Sequence, residues 1–183
     1  IKKYQWVTMP LALHGVVIMK DGTLVPISIG EKADDPVFVV TDLLPHLGAD
    51  QAKKSMDKGI TGENLNVLLG STPLKDEVDD NKKNNAKLNI LKLLNERFGI
   101  AEEDFASAEL EVVPAGPARE LGLDGSMMLA YAHDDRVCAY AGLRALLDLE
   151  EMPEYTSIVL LCDREEIGSK GMTGMDSNFF ENT

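Results

Sequence analysis

The most restrictive feature of this sequence is an apolar run near its carboxyl end. Residues 155–163 read YTSIVLLCD, with almost no polar interruption before the final aspartate. Such runs are typical of a strand that is covered on both faces of its sheet. Before it, DDRVCAYAGLRALLDLE spaces its apolar side chains as a helix does, and SAELEVVPAG indicates a strand. Strand, helix and strand in this order predict a parallel βαβ unit, and hence part of a three-layer α/β domain.

The first two-thirds of the chain predict a different, β-rich domain. The segment WVTMPLALHGVVIMKDGTLVPISIG is rich in Val, Ile and Thr, and Asp21-Gly22 predicts a hairpin turn. Residues 37–40 predict another strand, and the acidic run at 76–80 indicates a solvated helix entry. A helix is expected near 84–98, with Gly99 as its stop. We therefore predict a β-rich domain over 1–115 and an α/β domain over 116–183.

The charge balance and the apolar runs argue against several classes of protein. The 31 acidic residues against 18 basic ones give a net charge of −13, which repels phosphate backbones and disfavours nucleic-acid binding. No apolar run reaches the roughly 18 residues that a membrane span needs. Cys138 and Cys162 stand among apolar residues, so we expect two small core residues in a reducing, cytoplasmic protein. The first residues lack a secretory signal pattern. The chain starts with Ile1 and not with methionine, which predicts a processed product or a piece of a longer protein.

Two acidic clusters fall at the ends of the predicted α/β elements. HDDR (133–136) opens the helix, where Asp134 or Asp135 is expected to act as the N-cap. DREE (163–166) follows the apolar run directly. In open α/β sheets, sites form in the crevice beyond the carboxyl ends of the strands. The two clusters are therefore expected to converge in space.

Converging carboxylates suit a metal centre, although other interpretations remain open. Carboxylate oxygens bind zinc, manganese or magnesium, and a free carboxylate nearby can take a proton from a metal-bound water. The competing interpretation is that these acids are solvated turn residues and helix caps, as most such pairs are. A phosphate loop in GSKGMTG is disfavoured, because two glutamates precede the glycines and would repel a pyrophosphate.

Both acidic motifs resemble those of one enzyme family. CDREEIGSKG is similar to the YDNEEVGS-type motif, and HDDR to the LDN-type motif, of the aspartyl aminopeptidase / aminopeptidase I family of dinuclear zinc metallopeptidases. IKKYQWVTMPLALHGVVIMKDG and DLLPHL resemble the dimerisation domain inserted in that family. The resemblance covers most of the chain. It implies a three-layer αβα metallopeptidase core with an inserted β-rich dimerisation domain over residues 1–115.

The resemblance also implies roles for individual residues. Asp134 matches the aspartate that bridges two metal ions, Glu166 a terminal ligand, and Glu165 the general base. Asp135 matches a residue that orients the site without binding metal. The implied cofactors are two divalent ions, zinc first, with cobalt and manganese as alternatives. The implied reaction removes one residue, often an acidic one, from the amino terminus of a peptide, in dimers that assemble into dodecamers.

Several parts of the family's site have no counterpart in these 183 residues. An early histidine, a later aspartate and a carboxyl-terminal histidine are missing, so we expect the chain alone to bind metal very weakly and cleave no peptide. In that family a histidine of the dimerisation domain completes the active site of the neighbouring subunit. The resemblance makes His46 a candidate for this trans role, although the family's histidine lies a few residues later, where Asp50 stands, and a capping or packing role is the default for His46. His133 is expected either to orient Asp134 or to serve the fold.

Two further functions stay open at this point. The chain could be an oligomerisation module without catalysis of its own, in which the β-rich domain makes the contacts between subunits. A magnesium-dependent phosphotransfer domain using Asp134 and Asp163 is the weaker alternative.

Overall fold

The computed structural model describes residues 8–74 and 85–182, which fall into two compact units. Unit 1 spans Ile1–Pro117 and unit 2 spans Ala118–Thr183. The acidic run at 76–80 and the first residue of the helix expected at 84–98 lie outside the described residues. Among the described residues, no helix is both long enough and apolar enough to cross a bilayer.

Unit 1 is built around a small antiparallel sheet. Its elements in chain order are β1 (Leu11–Ile18), β2 (Leu24–Ile29), β3 (Val39–Val40), α1 (Ala49–Ala52), β4 (Val67–Leu68), α2 (Asn85–Phe98) and β5 (Ala108–Pro114). Short 3₁₀ turns lie at Met56–Lys58, Gly62–Asn64 and Glu102–Ser107. Strand β1 is the centre of the order β2-β1-β5, while β3 pairs with β4 in a separate two-stranded sheet.

The hairpin predicted at Asp21-Gly22 is confirmed. The Asp21 carboxylate accepts a hydrogen bond from the Thr23 N–H at 2.9 Å, which closes the turn between β1 and β2. Gly22 has a φ of +86°, a conformation that favours glycine. Register follows from this turn and pairs Val17 with Val25 across the two strands.

One face of this sheet forms the core of unit 1. Val17, Ile27 and Ile29 from the strands pack with Ile100, and Leu94 and Phe98 of α2 lie against the same cluster. The predicted helix is confirmed over 85–98, and its end follows from Gly99, which takes a φ of +72°. Its apolar side chains recur at helical spacing because only one side of the helix meets the sheet.

Unit 2 contains a hairpin and one longer helix. Strands β6 (Arg119–Leu121) and β7 (Met127–Leu129) pair antiparallel, and α3 (His133–Leu147) follows. A 3₁₀ turn at Glu165–Ile167 is the last element. The predicted helix over the DDRVCAYAGLRALLDLE segment is therefore confirmed in place and type.

The parallel βαβ unit is not formed, and the buried strand predicted at 155–163 is wrong for this structure. Among the described residues of unit 2, the one bridge of this segment joins Asp163 to Gly174, and Ile158 is 80% exposed. A strand covered on both faces needs neighbouring strands for its backbone groups and further layers for its side chains. The described part of unit 2 offers one hairpin and one helix. The fold shown is therefore mixed α/β with small sheets.

The prediction that both cysteines are core residues is also wrong. Cys138 lies on α3 and Cys162 on the apolar run, and both are exposed. The reason is the same lack of a covering layer among the described residues, since Val137 and Tyr140 of α3 are exposed as well. Apolar sequence surroundings alone did not determine burial.

Candidate metal centre

Three carboxylates from the two acidic motifs meet in unit 2. The ligand oxygens of Asp134, Asp135 and Glu166 all lie within 4.8 Å of one another, and the three side chains are exposed. Asp134 and Asp135 stand at the start of α3, and Glu166 lies in the 3₁₀ turn after the apolar run. The convergence expected from the motifs is therefore present, although it arises without the predicted parallel sheet.

The start of α3 directs its two aspartates towards this cluster. Ala132 is the N-cap residue and has left-handed dihedrals (φ 57°, ψ 45°), and no side chain caps the helix there. The assigned start therefore lies before the two aspartates, but Asp134 interrupts the helical dihedrals, so the regular helix begins after it, as expected of an N-cap residue. Asp134 has extended dihedrals (φ −77°, ψ 117°), and the peptide bond that joins it to Asp135 is cis. The positive end of the helix dipole favours negative charge at these two positions.

The turn that carries Glu165 and Glu166 is closed by its own backbone. The Gly168 N–H donates to the Glu165 carbonyl and the Ser169 N–H to the Arg164 carbonyl, both at 2.8 Å. Arg164 has a left-handed φ of 66°, which reverses the chain after the apolar run. The two glutamates therefore project from a compact turn.

Glu165 and Asp163 lie outside the three-carboxylate cluster. The Asp163 carboxylate accepts a hydrogen bond from the Thr173 hydroxyl at 3.2 Å and stands 3.7 Å from the Arg164 guanidinium. Asp163 is therefore engaged in fixing the turn. Glu165 is next to Glu166 in the sequence but lies outside the cluster. Its carboxylate is therefore not one of the three candidate metal ligands.

The donor set fits a divalent cation. Carboxylate oxygens are preferred ligands of hard and borderline divalent ions. Three negative charges within 4.8 Å repel one another, and a bound cation relieves that repulsion. The Asp135 carboxylate lies in the same cluster as that of Asp134, and the two adjacent aspartates of HDDR were the sequence signal for this closeness. The role that the resemblance implies for Asp135, orienting the site without binding metal, stays a prediction.

The histidines do not join the cluster. His133 places Nε2 3.1 Å from the Met128 carbonyl oxygen, so its ring ties the start of α3 to β7. His46 belongs to unit 1 and is exposed, as is Asp50, which pairs with Lys53. His14 lies in β1 with Nε2 2.7 Å from Glu31 Oε1.

Comparison with known proteins identifies the family. The sequence model of the aminopeptidase I zinc metalloproteases (M18) matches residues 1–183. The chain belongs to the M18 family. This confirms the resemblance that the two acidic motifs carry.

Individual M18 relatives match the whole chain but are much longer. A probable M18 family aminopeptidase 1 of Clostridium acetobutylicum is 55% identical over 183 residues, which are 100% of this chain and 38% of that protein. The counterpart of Thermotoga maritima is 50% identical over 180 residues, 98% of this chain and 38% of that protein. The chain thus spans 38% of the length of these curated relatives.

Solved M18 structures share the fold of the chain. The crystal structure of the M18 aminopeptidase from Thermotoga maritima superposes with a TM-score of 0.82 at 48% identity, covering 100% of this chain and 39% of that one. Aminopeptidase I from Clostridium acetobutylicum gives 0.81 at 53% identity, covering 99% and 39%.

Proposed function

We propose that this chain carries part of the catalytic centre of a metal-dependent aminopeptidase, a hydrolase that removes amino-terminal residues from peptides. The observation that carries the proposal is the meeting of Asp134, Asp135 and Glu166 within 4.8 Å, in a chain that matches the M18 family over its whole length. Three carboxylates that two separate motifs bring together supply the oxygen ligands that a divalent cation takes.

Asp134 and Glu166 would hold the metal, with Asp134 shared between two ions and Asp135 beside them. Zinc is the first choice for both ions, since the matching family is described as zinc metalloproteases, and cobalt or manganese could replace it. Bound metal would lower the pKa of a water ligand and polarise the carbonyl of the peptide bond.

Glu165 would act as the general base. It adjoins the ligand Glu166 on the same turn but stays outside the cluster, so its carboxylate remains free to accept a proton. It would take the proton from the attacking water and pass it to the leaving amine, as a single carboxylate can do in both steps. His133, which ties α3 to β7, would support the start of the helix that carries Asp134.

The two units would have different functions. Unit 1 would serve as the inserted dimerisation domain, and unit 2 would be part of the three-layer catalytic domain. The proposal also includes self-association into dimers and dodecamers in the cytoplasm and a preference for acidic amino-terminal residues. It includes a trans-acting role for His46 as well. An oligomerisation module without catalysis is the alternative that metal-free dimers of unit 1 would favour.

The phosphotransfer alternative gains no support from the geometry. It needs Asp163 beside Asp134, but the Asp163 carboxylate is held by Thr173 and Arg164 and lies outside the cluster.

A chimera tests the aminopeptidase proposal. Residues 1–183 would replace the matching segment of the Clostridium acetobutylicum relative, and hydrolysis of aminoacyl p-nitroanilides with acidic and neutral side chains would be measured. We expect activity that a chelator removes and metal restores. Glu165→Gln should lower kcat by about 10²- to 10⁴-fold while the metal content is unchanged.

The matched control is Glu150→Gln, an exposed glutamate of the same unit outside both motifs, which should leave kcat unchanged. A folded chimera that holds metal but cleaves none of these substrates contradicts the proposal. So does full activity in Glu165→Gln.

A further inference from the structure

We propose that Thr173 is a positioning residue for the metal centre, because its hydroxyl fixes the turn that presents Glu165 and Glu166. The inference rests on the proposed function. It adds a residue outside both acidic motifs, seven positions after Glu166 in the sequence.

The backbone closes a loop at Thr173. The Asp163 N–H donates to the Thr173 carbonyl at 3.3 Å, and Asp163 and Gly174 form a parallel bridge. Residues 164–172, which include Glu165 and Glu166, form one loop whose two ends are joined by these contacts. The orientation of the glutamates therefore depends on how firmly these ends are held.

The loop needs such support because its conformation is unfavourable for the residues it contains. Arg164 and Ser169 both have left-handed φ values, 66° and 60°, which residues with a Cβ rarely adopt. Strained positions of this kind persist only when the surrounding structure holds them in place. Two backbone hydrogen bonds inside the turn are part of that support.

The Thr173 side chain supplies support from outside the turn. Its hydroxyl donates to Asp163 Oδ2 at 3.2 Å and accepts from Arg164 Nε at 3.3 Å. Asp163 and Arg164 are the two residues immediately before Glu165, so the hydroxyl bridges the point where the turn begins. The Arg164 stem is also confined, since a Cβ on Gly171 would lie 3.1 Å from Arg164 Cδ.

A single hydroxyl meets both requirements at this position, since it donates to Asp163 and accepts from Arg164. A hydroxyl is at once a donor and an acceptor, whereas the isosteric valine is neither. Serine keeps the hydroxyl and loses only a methyl group. Thr173→Val and Thr173→Ser therefore separate the hydrogen bonds from the space that the side chain fills.

The test is manganese binding to the whole 183-residue chain. Mn²⁺ broadens nearby amide signals in nuclear magnetic resonance spectra and so reports weak binding at individual residues. We expect broadening at Asp134 and Glu166. Thr173→Val should raise the Kd by about two- to ten-fold, since two exposed hydrogen bonds are lost. Thr173→Ser should bind as the unchanged chain does.

Controls separate positioning from general stability. Thr156→Val makes the same chemical change at an exposed threonine outside the loop and should leave the Kd unchanged. Asp163→Ala removes the acceptor of the same contact, so the double variant should lose less than the sum of the two single losses. This comparison tests the coupling between Thr173 and Asp163 even if Thr173→Val alone disturbs the fold.

An unchanged Kd in Thr173→Val, equal weakening in Thr173→Ser, or strict additivity with Asp163→Ala overturns the inference alone. If the unchanged chain shows no broadening at Asp134 and Glu166, these carboxylates do not bind metal in this chain and the inference fails, whereas the proposed function is tested separately by the activity and metal content of the chimera.

Discussion

Gly174 lies so close to Ser169 that a Cβ on Gly174 would stand 2.1 Å from the Ser169 carbonyl oxygen. Gly174 is buried, and its backbone closes the loop that carries the two glutamates. Gly174→Ala must therefore push the Ser169 backbone aside and open the loop. We expect a loss of about 1–3 kcal/mol in the free energy of unfolding of unit 2, as for other overpacked sites, measured by urea denaturation.

The control for this prediction is the same substitution inside α3. Gly142 has ordinary helical space, because a Cβ there would have Val159 Cγ1, 3.9 Å away, as its nearest neighbour. Gly142→Ala should stabilise the chain by about 0.5–1 kcal/mol, because alanine is the better helix former. Equal effects of both substitutions would contradict the close contact at Ser169.

The local elements could be predicted from the sequence because their signals are local. Asp21-Gly22 closes its own turn, and the helix ending at Phe98 has its stop in the next residue. The strand at 155–163 could not be judged in this way, since a buried strand depends on partners that its own residues do not specify. The fold class was therefore predicted only at the coarse level of mixed α/β.

The candidate site, like the fold, could be predicted from the sequence only in part. Asp134 and Glu166 were found because carboxylate pairs at element ends form a recognisable motif, and they do meet. Thr173 gave no such signal, because one hydroxyl that contacts Asp163 ten residues away leaves no periodic pattern in the sequence.

Burial differs sharply between two isoleucines, which makes their truncation a direct test of the packing. Ile100 is 2% exposed in the core of unit 1, and Ile158 is 80% exposed on the run predicted to be a buried strand. Ile100→Ala should cost about 2–5 kcal/mol, because it removes buried methyl groups and leaves a cavity. Ile158→Ala in the same 183-residue chain should change the free energy of unfolding by less than about 0.5 kcal/mol.

Urea unfolding of the two variants checks this prediction. A large cost at Ile158 in this chain would show that the apolar run is covered after all. The Ile100 variant serves as the positive control for the sensitivity of the measurement.

An ion pair in unit 1 predicts a specific pH dependence of stability. Arg97 Nη2 lies 2.9 Å from Asp35 Oδ1, and Asp35 is only 10% exposed. The hydrogen bond from Arg97, with weaker ones from the Gly30 and Lys32 N–H groups, lowers the pKa of Asp35 below its ordinary 3.8. The folded state thus holds the ionised form more tightly than the unfolded state does. This stabilisation is complete above pH 3.8 and disappears as the pH falls through the lower folded pKa.

Arg97→Met should therefore be less stable than the unchanged chain near neutral pH, and the difference should shrink as the pH falls below about 4. Urea midpoints across this range provide the measurement. Lys53→Met is the control, since its partner Asp50 is 96% exposed and the pair should contribute little at any pH. A difference that stays constant down to strong acid would contradict the role of Asp35.

Removing one carboxylate of the cluster separates a metal ligand from a solvated acid. Asp134→Asn takes away one of three mutually repelling charges and one metal-binding oxygen donor. It should weaken Mn²⁺ binding to the chain by about ten-fold or more, as loss of a charged ligand does. Without metal, the stability should change by less than about 1 kcal/mol, because relief of repulsion opposes the lost interaction with the helix dipole.

Asp148→Asn, at the other end of α3 and paired with Arg144, removes the same charge away from the cluster and should leave the Kd within two-fold. Equal weakening by both variants would mean that Mn²⁺ responds to the net charge of the chain and that Asp134 is not a ligand.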